Sequence, residues 1–245
     1  MTAQAGKTAV IIGVGPGLGL SVARRFGREG YTPALVSRSA ARHGGYLASL
    51  AEDGIDAGSF NADVRDQAQV RSVLEAITGR YETIDLLYYG PATVDPAALP
   101  RPITETVPDA VREAMSWVYP AVDIAARVLP GMTGRGSGGL LFAGGLSAIR
   151  QMPALGALAV ASAALRNYAL TLNAGLAGTG VYAGTLTIGG LIERGDIHRY
   201  VASRPGQFGE VAIASLDPDE IADTAWDLHI NRDRAEATFS AGAPG

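Results

Sequence analysis

A doubly wound α/β fold, with helices on both faces of a parallel sheet of about seven strands, is predicted by three observations. Short apolar runs rich in β-branched residues alternate with stretches of helical periodicity along the whole chain. The first run breaks into four alternate glycines, Gly13, Gly15, Gly17 and Gly19, where a helical pattern begins at Leu18. A chain of 245 residues with 47% hydrophobic content can bury one such core, so a single domain over 1–245 is the simplest organisation.

Composition excludes several function classes. A net charge of −4 with no basic block argues against nucleic acid as a partner, because phosphate backbones demand clustered Lys and Arg. With no cysteine and three scattered histidines, neither disulfides nor a dedicated metal site is expected. The opening MTAQAGK lacks the apolar core of a secretory signal. Residues 154–177 are apolar, but Arg166, Asn167 and Asn173 interrupt them below spanning length, so no membrane span is expected and a cytoplasmic protein follows.

Residues 8–12 read as the first strand and 18–29 as the helix after it. Glycines at that junction permit a tight turn and let backbone approach a pyrophosphate, held by the N–H groups and dipole at the helix start. The second strand, 33–37, ends on Ser37 with Arg38 just beyond. An acidic residue there would bond a ribose 2′-hydroxyl, whereas Arg accommodates a 2′-phosphate, so Ser37-Arg38 favours NADP(H). A solvated surface arginine is the plainer alternative, with Arg42 a second cation nearby.

A helix over 42–53, a third strand over 58–62 with Asp63-Val64 as its exit, a helix over 67–81 and a buried strand over 84–88 complete the first half. Tyr89-Gly90-Pro91-Ala92 then forms a turn at the carboxyl edge, where doubly wound sheets bind ligands. A proline-punctuated loop over 96–108 leads to one long helix over 109–129, kinked at Pro120, and a glycine-rich connector over 131–139. The fifth strand, 140–143, ends in the turn Gly144-Gly145-Leu146-Ser147. The helix over 154–177 is crowded with Ala and Gly, a surface suited to close packing, including across a subunit interface. After a sixth strand, 182–188, the stretch 189–216 has little regular signal and the length of a substrate-covering flap. Asp217 as N-cap, Pro218 at the first helical position and Glu220 three residues after the cap start a helix running to about 231. A last strand lies near 237–240.

This order of elements, with Gly13-x-x-x-Gly17-x-Gly19, Asp63-Val64 and the DPDEIA helix start, resembles the short-chain dehydrogenase/reductase family over nearly all of the chain. The resemblance implies a Rossmann-like sheet and pyrophosphate binding at Gly13, Gly17 and Gly19. It also implies an adenine contact at Asp63 and a nicotinamide contact at the Gly189-Gly190 turn with Ile192, where Gly189 replaces the family's usual proline. In that family a Tyr, its pKa lowered by a Lys one helical turn later, protonates the carbonyl oxygen as hydride arrives. Aligning the run that begins at Ser162 with the family's Lys-Ala-Ala-Leu puts Leu158 at the Tyr position and Ser162 at the Lys position. The family serine falls near Gly145 or Leu146, with Ser147 one or two residues away, and the Asn of the central helix becomes Trp117. Lys7 is the only lysine, so the chain holds no Tyr-x-x-x-Lys and resembles a divergent member.

Remaining candidates for chemistry are Ser147, Tyr89 and His198. Ser147 would hydrogen-bond a substrate oxygen or satisfy its own turn. Tyr89 would stack on substrate or fill space, and His198 would act from the flap or sit in solvent. Trp117 would pack, or with Leu158 shape an apolar pocket for an aromatic or polyene substrate. Three readings stay open: an NADP(H)-dependent reductase with a substituted acid, a water or a conjugated substrate; a non-redox cyclase, isomerase or lyase; and a catalytically silent NADP-binding protein. A homodimer or homotetramer through the two long helices is implied, with a small apolar or aromatic molecule as substrate.

Overall fold

The computed structural model describes residues 6–92, 99–204 and 215–240. Its strands are β1 Lys7–Ile12, β2 Tyr31–Ser37, β3 Gly58–Asn61, β4 Leu86–Tyr89, β5 Gly138–Gly145, β6 Val181–Gly189, β7 Leu191–Ile192, β8 Ser215–Leu216 and β9 Glu236–Ser240. Helices α1 Leu18–Arg28, α2 His43–Glu52, α3 Gln67–Tyr81, α4 Pro108–Met115, α5 Tyr119–Arg135, α6 Ala157–Gly175, α7 Asp196–Ala202 and α8 Pro218–Asn231 join them. Seven parallel strands form the central sheet in the order β3-β2-β1-β4-β5-β6-β9. The two short strands, β7 and β8, pair with each other.

Both faces of the sheet are buried, and the period of two along each strand sorts its side chains between them. Val10 and Ile12 point into a core built with α3, α5 and α6, while Ala9 and Ile11 point into a second core built with α1, α2 and α8. Strand order reverses between β1 and β4, which opens a crevice at their carboxyl ends.

Several local expectations need correction. The single helix over 109–129 is two helices, because Pro120, which has no N–H to give, sits in the first turn of α5 and starts it. The connector over 131–139 is instead the end of α5, which reaches Arg135 and stops on Gly136 in the left-handed region (φ +64°), followed at once by β5. Residues 189–216 carry β7, α7 and β8 where little regular structure was expected, and 205–214 of the flap lie outside the described residues. Asp217 caps α8 as expected, its carboxylate accepting from Asp219 N at 2.8 Å. Among the described residues no helix is long and apolar enough to cross a membrane.

At the amino-terminal edge, far along the strands from the crevice, His229 of α8 is 4% exposed and packs among Phe26, Tyr31 and Trp226. Its Nε2 meets the Tyr31 hydroxyl at 2.9 Å, while Nδ1 has no hydrogen-bond partner among the described residues and lies where a Cβ on Gly139 would be only 2.3 Å away. Burial, then the charges of Arg232 and Lys7, push its pKa down to about 4. The unfolded chain therefore binds the proton more tightly than the native one between pH 4 and 6.5. Stability from this site is complete above pH 6.5 and is lost as pH falls toward 4, by up to about 3 kcal/mol. Urea midpoints followed from pH 7.5 to 4.5 should fall less steeply in His229→Gln than in the wild type; parallel slopes would remove His229 from the account.

Candidate functional site

The crevice is built around the turn after β1. Gly13 has φ +87°, and a Cβ there would lie 2.5 Å from Pro91 Cα in the turn after β4. Its N–H and that of Val14 donate to Val36 O at 2.9 and 3.1 Å, which locks the turn to β2. Helix α1 begins immediately, with Gly17 as N-cap, Leu18 and Gly19 in the first turn, and neither a side-chain cap nor an acidic residue there. Such a start leaves its first N–H groups for an anion to satisfy, and among the described residues nothing comes within 4 Å of a Cβ placed on Gly15. A pyrophosphate fits this arrangement.

The segment after β6 passes over the same turn. A Cβ at Gly17 would lie 3.1 Å from Glu193 O and from Gly195 Cα. Two sets of ion pairs hold the segment down. Arg194 reaches Asp219 at 2.7 Å and Asp217 at 3.3 Å at the start of α8, and Arg42 donates to both carboxylate oxygens of Asp196 at 2.9 and 2.8 Å. Hydrogen bonding and charge from Asp196 raise the Arg42 pKa. Arg42, expected as a spare cation beside Arg38, thus belongs to the bridge across the crevice. Gly190 lies between β6 and β7, and Ile192 ends β7, whose neighbour Glu193 N donates to Leu216 O at 3.0 Å.

Arg38 and the Asp63-Val64 exit lie side by side at the ends of β2 and β3. The Ser37 hydroxyl is 2.7 Å from His43 Nε2 and 3.1 Å from Ser39 O. Asp63 engages Arg65: its Oδ1 accepts from Arg65 N at 3.0 Å and from Nε at 3.5 Å, and Oδ2 from the guanidinium at 3.4 Å. Burial alone would raise the Asp63 carboxyl, but these hydrogen bonds and the charges of Arg65 and Arg38 outweigh it and hold the pKa low. Trp117, expected to pack or to shape a substrate pocket with Leu158, presents its ring here: the Arg65 and Arg38 guanidinium carbons stand 4.9 and 5.8 Å from its centroid.

At the other end of the crevice, β5 finishes on Gly145, and a single turn, Leu146–Ala148, carries Ser147. A Cβ on Gly145 would lie 3.3 Å from Ser162 Oγ and 3.4 Å from Ser147 Oγ, so two hydroxyls from β5's exit and from α6 face the same point. Leu158, one turn before Ser162 on α6, is 41% exposed. Gly189 closes the far side: a Cβ there would be 2.4 Å from Leu146 Cδ2, which explains why this chain has no room for a proline ring at that position. Gly189→Ala should cost about 1–3 kcal/mol by overpacking, most of it recovered when Leu146→Ala is added. Additive losses in that cycle would contradict the contact.

One proposed side chain is buried in the core instead of facing the crevice. Tyr89 is the last residue of β4, 1% exposed, with its hydroxyl donating to Trp117 O at 2.6 Å. Burial raises its pKa, and its ring packs in the core, the space-filling role that the sequence left open beside stacking on substrate. His198 is half-buried on α7, one turn from the residues that cover Gly17. Arg65 and Asp196 were missed altogether. Arg65 stands directly after Asp63-Val64 and carried a local signal, whereas the Arg42–Asp196 pair joins residues 154 apart and carried none.

A family model described as short chain dehydrogenase matches residues 7–193. Short chain dehydrogenase/reductase dpchG of Colletotrichum higginsianum is 34% identical over 94 residues, covering 38% of this chain and 35% of that protein. The chain spans about a third of the length of the curated relatives it matches. The L-sorbose reductase of Gluconobacter frateurii, solved with NADPH and L-sorbose, superposes with a TM-score of 0.82 at 22% identity over 97% of this chain and 96% of its own. A short chain oxidoreductase of Pseudomonas aeruginosa PAO1 containing an atypical catalytic center superposes at 0.83 with 19% identity, covering 97% of each chain. At these identities the superpositions establish the fold alone, while the family match takes in well over half of the sequence. The chain belongs to the short chain dehydrogenase family.

Proposed function

We propose that the chain is an NADP(H)-dependent reductase of a small carbonyl or conjugated molecule, apolar or aromatic in character, that works without a Tyr-x-x-x-Lys pair. One observation carries this reading: the uncapped start of α1 opens on the crevice between β1 and β4, with Arg38 at the end of the adjoining strand. Family membership and the NADPH held by the sorbose reductase support the same cofactor. Gly13, Gly15, Gly17, Leu18 and Gly19 would hold its pyrophosphate, Ser37 and Arg38 its 2′-phosphate, Asp63, Val64 and Gly90 its adenosine, and Gly190 and Ile192 its nicotinamide.

When bound, NADPH supplies a hydride to the substrate carbon. The Ser147 and Ser162 hydroxyls donate hydrogen bonds to the substrate oxygen as negative charge gathers there, the task that Tyr performs in the usual family site. The proton that completes the product is drawn from solvent. A conjugated substrate suits such a site, since its developing charge is spread over several atoms and needs less protonation. Tyr89 is tied back into the core, so its ring is not what would block the nicotinamide end, which weighs against a catalytically silent protein. Tyr119, Val122 and Val160, exposed on α5 and α6, favour a homodimer or homotetramer, and the cysteine-free composition suits the cytoplasm.

Loss of NADPH absorbance against a panel of ketones, aldehydes, quinones and enones tests the reading. Turnover of at least one class is expected. NADPH that binds yet stays unoxidised across the panel would sink the reductase and favour cofactor-assisted isomerisation or cyclisation.

A further inference from the structure

Trp117 is fixed from several sides although it lies between two helices. Its carbonyl accepts from the buried Tyr89 hydroxyl at 2.6 Å and its N–H donates to Ala114 O at 3.3 Å, so β4 and α4 both fix the backbone that carries the indole. Two guanidiniums from different strand exits then converge on that one ring, Arg65 at 4.9 Å and Arg38 at 5.8 Å. Arg65 is itself oriented, by the Asp63 carboxylate on one side and by Glu113 at 3.6 Å on the other. Like charges sharing an aromatic ring repel each other. The Asp63 and Glu113 carboxylates already offset part of that repulsion; a dianion beside Arg38 lowers it further, and a flat heteroaromatic ring extends the stack.

From this juxtaposition we infer that Trp117 and Arg65 form the recognition surface for an adenosine 2′-phosphate group, with the purine stacked on the indole and its 2′-phosphate beside Arg38. Purines stack on Trp and Arg faces whatever their hydrogen-bonding edge, which makes this a platform rather than a base-reading pocket. Asp63, assigned above to the adenosine, is also a positioning residue: it holds Arg65 in place. The assignment moves Trp117 from the substrate to the cofactor and rests on the NADP(H) reading above.

Only Trp117 and Trp226 fluoresce as tryptophans in this chain, and Trp226 is packed at the opposite edge against Phe26 and Tyr31. The probe is adenosine 2′,5′-bisphosphate, which lacks the nicotinamide. Titration should quench wild-type tryptophan emission, and the quench should vanish in Trp117→Phe. Trp117→Ala should weaken the bisphosphate about tenfold, the scale of one lost stack, and Arg65→Met should weaken it severalfold while leaving the fold intact. NADPH affinity is read in parallel from nicotinamide emission. If NADPH binds equally well to the wild type, Trp117→Ala and Arg65→Met, the platform is overturned while the NADP(H) reading stands. If the wild type binds no NADPH, the reading falls and the platform with it.

Discussion

Replacing Arg38 by aspartate is expected to weaken NADPH binding about a hundredfold while leaving NADH affinity little changed. A hydrogen bond to a charged group contributes about 1.5–3 kcal/mol, and reversing the charge adds repulsion to that loss. At about 1.4 kcal/mol per factor of ten, the sum reaches two decades. NADH carries a hydroxyl where NADPH carries the 2′-phosphate, so it has no charge there for the new carboxylate to repel, and an acidic residue at this position is the ordinary partner of that hydroxyl. Titrations of both dinucleotides, followed by nicotinamide emission, read the ratio directly. Equal losses for NADPH and NADH would mean that Arg38 supports the fold of the crevice and does not discriminate.

The second large effect is expected at the serine pair. Ser147→Ala and Ser162→Ala should each lower kcat about a hundredfold with KM nearly unchanged, the scale measured for removing one donor from a developing oxyanion. Because both hydroxyls face the same point beside Gly145, the double variant should lose less than the product of the two. A change confined to KM would show that the serines bind substrate without favouring the transition state. Wild-type turnover in both variants would remove them from the mechanism and return attention to His198 and to water.

Much of the scaffold was legible because its signals are local. Runs such as Ala9 to Ile12 are apolar on both faces, which marks buried parallel strands, and Asp217-Pro218 announces α8 through chemistry confined to four residues. The Gly13 turn was equally plain, since a positive φ and a close approach to Pro91 both demand glycine. What failed required knowledge of partners. Pro120 is compatible with a kink or with a helix start, and only the packing of α4 and α5 decides between them. Tyr89 looked available because the sequence places it in the turn after the fourth strand, but it is the last residue of β4 and the carbonyl that satisfies its hydroxyl lies 28 residues away. Trp117 was assigned by counting along a helix. Its ring is met instead by Arg38 and Arg65, which arrive from two other strand exits. Alignment by family position put Ser147 one or two residues from the family serine and Ser162 at the Lys position, where a hydroxyl cannot replace the lysine. No spacing rule, however, brings the two to one point, because β5 and α6 meet only in the folded chain.

Cofactor binding underlies both the serine chemistry and the Trp117 platform. Direct titration of the wild-type protein with NADPH, read by nicotinamide emission and by the rise in melting temperature, therefore tests the account most closely. Saturable binding in the micromolar range, with NADH much weaker, is the predicted result. Absence of binding at millimolar NADPH would contradict it and leave a family fold that has given up the dinucleotide.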